Sequence, residues 1–351
     1  MRHIKNTKNT KNTKKRYGWQ TELSNIIKQY NPLASSGDKL ISHRTGGKRI
    51  DILYQCFREL RDRLGFRIEN PRNIKERHVH ALANYWEKEG LSSSTIQNRL
   101  SILRVFAGWL GKGNMIKEGH LYVTNPDSVA RDQVAREDKG WKAKEIDFEK
   151  VWTDIAEYDG RVGLQILLIK EFGMRRQEAV MFQPHVAVTK GERSNDIVVE
   201  FGTKGGRPRS VPVETDSQRA VLELAMEVVK TREGHVGWTD KTLKQALRRY
   251  SNVLTKFGVT KANMEITGHG LRHDYANDKY ERMTGSPSPV RGGLKDVVNA
   301  EDDYVAKMQV SRALGHSRTS ITASYFGSHA TKKASKGMRA KQAITGMHIP
   351  Y

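Results

Sequence analysis

Cysteine is nearly missing: Cys56 is the single thiol in 351 residues. That excludes internal disulfides and any cysteine-clustered zinc site. No apolar run reaches membrane-spanning length, and the longest cluster, "GLQILLI" at 163–169, suits a buried helix or strand. The amino terminus is basic but has no apolar h-region, so it does not read as a secretory signal, and no acyl-anchor motif occurs. Acidic residues are also scarce, 39 against 61 Lys and Arg, leaving a formal net charge of +22. Such an excess speaks of polyanionic partners and not of fold. With membranes set aside, nucleic acid is the matching polyanion. A cytoplasmic, nucleoid-associated protein is the expectation. Basicity alone does not separate an enzyme from a repressor or a ribosomal protein, and the length suits two domains.

What is present falls into five stretches. Residues 1–40 begin with a KNT triplet repeat carrying seven Lys or Arg among the first 16 residues and no acid. This reads as a basic arm, partly disordered, either solvated or phosphate-seeking. Over 41–123 helical periodicity takes over. Ile50, Leu53, Phe57, Leu60 and Leu64 form one apolar stripe, "RHVHALANYWEKEG" (77–90) a second helix, and "SSSTIQNRLSILRVFAGWLGKG" a serine-capped third. The opposite face of that third helix shows Gln97, Arg99 and Arg104, suited to phosphates and base edges. Residues 124–145 have few apolar residues and alternating charge, and read as a linker. From 146 to 330 come helices at about 147–157 and 161–172, then a β-hairpin, "DIVVEFGTKGGRPRSVPV". Further helices follow at about 215–231 and 240–257, then at "HGLRHDYANDKYERM" and "DDYVAKMQVSRALG". Residues 331–351 are a tail. The fold class is therefore mainly α with a small antiparallel β-sheet. Arg207, Arg248 and Arg249 complete the candidate DNA-contacting set.

Five polar clusters of the second domain are candidates for chemistry. They are Arg175 with Glu178 in "GMRRQE", Lys204 in the hairpin turn, His269, Arg272 and His273 in "HGLRH", His316 in "ALGH", and Tyr325. Each has a bland reading. Arg175 beside Arg176 fits surface charge, a turn lysine is usually solvated, and a lone tyrosine is usually packing. His269 and His273 lie one helical turn apart, but no intervening glutamate or third ligand accompanies them, so no metal is assigned.

Order and spacing together outweigh those readings. The arrangement resembles the tyrosine recombinases, the phage and mobile-element integrases with their Xer relatives. That family's G-x-R-x-x-E, hairpin lysine, H-x-L-R-H, L-G-H and tyrosine nine residues later all stand here in order. The resemblance covers 147–330 well, and "ISHRTGGKR" with "GLSSSTIQNRLSILR" extends it more loosely to a helical, SAM-like core-binding domain over 41–123. It implies a two-domain DNA clamp that cuts and rejoins duplex DNA at attachment or recombination sites through a 3′-phosphotyrosyl intermediate. Such an enzyme integrates or excises a phage or mobile element. It implies Tyr325 as nucleophile, Arg175 and Arg272 on the phosphate, His269 and His316 as donors or proton carriers, and Lys204 as general acid to the 5′ oxygen. No cofactor is implied. The partners implied are double-stranded DNA, a homotetramer on synapsed DNA, and an accessory bending or directionality factor. His273 is expected to support and Glu178 to orient an arginine.

Elementary chemistry agrees with those roles. Without an acidic cluster for magnesium, cationic side chains must stabilise a five-coordinate phosphorus, and arginine forks do so with paired bonds. The chain departs from the family by extra residues between Arg272 and His316, including "TGSPSPVRGGLKD" at 284–296, read as a loop insertion. Two rivals remain open here: a type IB topoisomerase with the same chemistry, and a DNA-binding regulator that keeps the fold without cutting. The apolar end of the tail, "AITGMHIPY", is expected to dock on a neighbouring protomer.

Overall fold

A computed structural model describes residues 18–33, 40–191 and 195–328. The chain divides into two compact units, 1–132 and 133–351. Arm residues 1–17 and the expected tail docking lie outside the described residues. Among the described residues no helix is long and apolar enough to cross a membrane.

Among the described residues the first unit holds four α-helices: α1 (Trp19–Tyr30), α2 (His43–Arg58), α3 (Glu76–Lys88) and α4 (Ser93–Trp109). Ser42 and Ser92 cap α2 and α4 by accepting the N–H of Thr45 and Thr95. A π-helical turn, Glu59–Arg63, extends α2 and keeps Leu60 in the core. Leu53, Phe57, Leu82, Trp86, Leu100 and Phe106 interlock at the centre. Residues 19–30, grouped with the basic arm on composition, form a helix because Leu23, Ile26 and Ile27 share one face and bury it.

The second unit is built around α6 (Gly160–Phe172), which follows α5 (Phe148–Tyr158) directly. Its Val162, Leu164, Ile166, Leu168, Ile169 and Phe172 are all buried, so it is apolar on every side and belongs at the centre. Helices α7 (Arg176–Met181) and α8 (Pro184–Gly191) lead to the hairpin of β1 (Asp196–Val199) and β2 (Arg209–Pro212). The strands pair antiparallel, with Ile197 opposite Val211 and Val199 opposite Arg209. Helices α9 (Asp216–Val228), α10 (Leu243–Lys256), α11 (Gly270–Thr284), α12 (Ala300–Ala313) and α13 (Ala323–Phe326) complete the unit. This is the mainly helical fold with a small antiparallel sheet that the patterning implied.

The stretch read as a linker packs on this unit over its second half. Trp141 is 1% exposed; its backbone N–H donates to Asp274 at 2.7 Å and its indole N–H to the Thr267 carbonyl at 2.9 Å. Losing a buried tryptophan side chain costs about 3–5 kcal/mol. One apolar anchor therefore outweighs the polar composition around it.

Candidate active site

Two left-handed turns shape the site. Gly173 ends α6 at φ 55°, where a Cβ would lie 2.4 Å from the Tyr275 ring, so only glycine fits. Its carbonyl then accepts from the Arg272 guanidinium. In the hairpin, Gly205 (φ 76°) and Gly206 (φ 67°) turn the chain just after Lys204, which stands exposed at the tip.

Glu178 is the hub. Its carboxylate is fully buried and accepts the Arg175 backbone N–H at 2.8 Å, Arg175 Nη1 at 2.5 Å and Arg209 Nη2 at 2.9 Å, with Arg272 Nη1 3.9 Å away. Burial alone would raise its pKa. Arg209, Arg272 and Arg175 reverse that and hold the carboxyl below its usual range. A second meeting point is the Leu314 carbonyl, just before the Gly315–His316 turn. It accepts from Arg175 Nη2 at 3.2 Å and Arg272 Nη2 at 2.6 Å. One carboxylate and one carbonyl thus bring two guanidinium groups together against their mutual repulsion. That is costly unless both are needed in one place.

Tyr325, on α13, is 6% exposed and its hydroxyl accepts from Arg272 Nε at 3.2 Å. Its ring lies 4.8 Å from that of His273, which in turn meets His269 edge-on at 5.3 Å. A pocket of about 590 Å³ opens on this group, lined by His269, His273, Tyr325, Ser324, Lys139 and Lys261. Burial, then Arg272, Arg175 and Lys204, push the His316 pKa down to about 4. Its buried Nε2 has no partner, and neither has the buried Nδ1 of His273, whose pKa burial lowers to about 3. Desolvation, Arg272, Arg175 and Lys139 also push His269 down, but that residue stays exposed at the pocket rim and water screens much of the effect. Near neutrality these imidazoles are uncharged. The orphaned His316 nitrogen, within the field of Arg272, Arg175, Lys204 and Arg209, suits an incoming oxyanion.

The structure therefore gathers Arg175, Arg272, His316, Tyr325 and His269, with Lys204 close enough to bias His316. Glu178 orients its arginines as its sequence context suggested. Among the described residues no group of three or more His, Cys, Asp or Glu is arranged to hold a metal. The expected DNA-contacting residues are more scattered. Gln97 donates to the Val129 carbonyl at 2.8 Å, and Arg104 bonds the carbonyls of Ile116 and Lys117. Arg99 pairs with Glu59 at 3.1 Å, lies over the Trp86 ring and keeps only 12% of its side chain exposed. Arg249 pairs with Asp159 at 2.7 Å, whereas Arg207 and Arg248 are exposed. Sequence reasoning missed Arg209, buried and bonded to the Ala313 carbonyl as well as Glu178. Strand alternation marked it, because 209, 211 and 213 share the inward face. It also missed Lys139 and Arg291, which no local pattern flags.

The histidines give the second unit a pH signature. The unfolded chain takes up protons near pH 6.5, whereas folded His316 and His273 resist them until about 4 and 3. Stability should fall as pH drops from about 6.5 towards 4. Asp274, raised to about 6 by burial, acts oppositely over the upper part of that window, but it is one group against two. Thermal melts between pH 7 and 4.5 should show a falling Tm, and His316→Gln should flatten the slope. An unchanged slope in that variant would rule His316 out as a contributor.

Comparison with known proteins agrees with this geometry. The family model described as Integrase matches residues 133–278, and that described as Phage integrase, N-terminal, matches residues 23–116. No curated protein matches at a significant level. A crystal structure of lambda integrase bound to DNA aligns at TM-score 0.53 and 14% identity, covering 91% of this chain and 100% of that one. A Tn1549 transposon integrase in complex with transposon right end DNA aligns at TM-score 0.56 and 13% identity, covering 93% and 100%. A lambda integrase tetramer bound to a Holliday junction aligns at 0.54 and 16%, covering 90% and 78%. At such identities these structures establish the shared fold. The two family models together span more than half of the chain. The chain belongs to the phage integrase family, the tyrosine-type site-specific recombinases.

Proposed function

We propose that this recombinase cuts duplex DNA with Tyr325 and rejoins it to a new partner, integrating or excising a phage or mobile element. The observation that carries this is the convergence of Arg175 and Arg272 on Glu178 and the Leu314 carbonyl, with the Tyr325 oxygen 3.2 Å from Arg272 Nε. The Tyr325 oxygen attacks the scissile phosphorus, forming a 3′-phosphotyrosyl bond as the bond to the 5′ oxygen breaks. Arg175 and Arg272 stabilise charge on the non-bridging oxygens. His316, kept neutral, donates its ring N–H to a phosphate oxygen, and the tyrosine proton leaves through His269 at the pocket rim. Lys204, at the tip of its turn, protonates the departing 5′ oxygen. The retained phosphodiester energy lets the reaction run backwards on another strand without a cofactor.

Affinity comes from phosphate contacts and is steeply salt-dependent. Exposed Arg207 and Arg248, with Lys139 and Lys261 at the pocket, suit that role. Arg104, Gln97 and Arg249 serve from positions fixed by their intrachain bonds, while Arg99 is better read as holding α2, α3 and α4 together. The assembly is a homotetramer on synapsed attachment sites within the nucleoid, aided by an accessory bending or directionality factor. Likeness to a junction-bound tetramer supports this reading.

The test is a pool of nicked duplexes with a randomised core. Cleavage beside the nick loses a short fragment and traps the enzyme on DNA. A protein–DNA band that survives denaturation and disappears with protease is the expected result, and sequencing its DNA gives the target. No such band would leave a DNA-binding regulator. Relaxation of a plasmid lacking the selected sequence would instead indicate a type IB topoisomerase.

A further inference from the structure

The insertion after α11 contains a 3-10 turn, Pro289–Arg291, whose last side chain is an ionic hub. Arg291 Nε donates to Asp138 at 2.7 Å, Nη1 to Asp278 at 2.6 Å and Nη2 to Asp274 at 2.9 Å. Only 15% of that side chain is exposed, so the pairs are shielded from the screening that makes surface salt bridges weak. Asp274 and Asp278 lie one turn apart on α11, the helix that carries Arg272. Asp138 belongs to the segment whose Gly140 and Trp141 N–H groups bond Asp138 and Asp274 at 2.8 and 2.7 Å. One guanidinium therefore ties that segment to α11.

The same insertion reaches the tyrosine. Gly327, two residues beyond Tyr325, is so close to Val290 that a Cβ there would lie 3.2 Å from the Val290 Cβ. The Ala135 N–H donates to the Ala323 carbonyl at 2.8 Å, and Ser288 Oγ to Asn277 on α11 at 2.5 Å. The insertion thus braces the two pieces whose spacing sets the Arg272–Tyr325 contact.

We infer that Arg291 is a positioning residue for strand cleavage, fixing α11 and the Tyr325 turn in the register where the tyrosine oxygen meets Arg272. Its role runs through these intrachain contacts. The inference rests on Tyr325 being the nucleophile. A misplacement of about 1 Å in a reacting pair costs about 100-fold, which sets the expected scale.

The experiment measures single-turnover adduct formation, equilibrium DNA affinity and Tm on the selected nicked substrate. Arg291→Ala should cleave about 100-fold more slowly, Arg291→Lys less slowly, and affinity should move less than about twofold. A substrate with bridging sulfur at the 5′ position should not restore Arg291→Ala, because attack and not leaving-group departure is impaired. Should Arg291→Ala fail to fold, Asp138→Asn decides, since it weakens only the pair that ties this segment to α11 and leaves Arg291 its bonds to Asp274 and Asp278; about tenfold slower cleavage is expected. The inference is overturned by folded variants that cleave within about threefold of the parent, by losses that merely track Tm, or by rescue with sulfur. No adduct with the parent protein would overturn the recombinase chemistry itself, and this inference with it.

Discussion

Tyr325→Phe is expected to abolish strand cleavage, by on the order of a million-fold, the scale on which removing a nucleophile acts in covalent catalysis. DNA affinity should stay within about twofold, since neither the basic pocket rim nor the guanidinium pair is altered. The substitution also removes the acceptor for Arg272 Nε, a buried donor, at a cost of about 1–3 kcal/mol. Tm should therefore fall by a few degrees while the domain stays folded. The measurement is adduct formation on the nicked substrate, beside a binding titration. A residual adduct in the variant would move the nucleophile elsewhere. Of two alternatives in the same unit, Tyr280 is buried with its hydroxyl donated to Asp303 at 2.7 Å, which leaves exposed Tyr304 on α12 as the one to test.

The parts of this site that were legible in the sequence are those whose chemistry sits in short local motifs. Arg175 and Glu178 are three apart because the glutamate must reach back to the arginine's own backbone N–H at the start of α7. Lys204 is followed by two glycines because the turn needs left-handed residues. The spacing from His316 to Tyr325 is that of one turn and two short helical segments. What stayed hidden depends on long-range pairing. Arg291 and Asp138 are 153 residues apart, and nothing near either one announces the other. Polar composition also misled locally. The charged stretch before residue 146 conceals Trp141 as a core anchor, and the basic arm conceals α1. In both places a few apolar residues at the right spacing decided the structure over the average character of the segment.

Lys204→Ala is expected to slow cleavage of ordinary DNA by about 10²–10⁴-fold, the range for losing a positioned general acid. Three cations, Arg175, Arg272 and Arg209, are held by buried carboxylate and carbonyl partners, which fixes them in place. Lys204 is different. It stands exposed on a hairpin tip whose next two residues are glycines. A group that must follow an oxygen as its bond to phosphorus breaks has to move, and a lysine on a glycine turn can. The near-neutral imidazoles are poorer acids, since burial and the neighbouring cations keep His316 unprotonated down to about pH 4. The test replaces the bridging 5′ oxygen with sulfur, which departs without needing a proton. With that substrate Lys204→Ala should regain a rate within about tenfold of the parent, while Arg272→Ala, which lacks charge stabilisation, should not. Failure of sulfur to rescue Lys204→Ala would make the lysine a phosphate contact and return the acid role to His269 or His316.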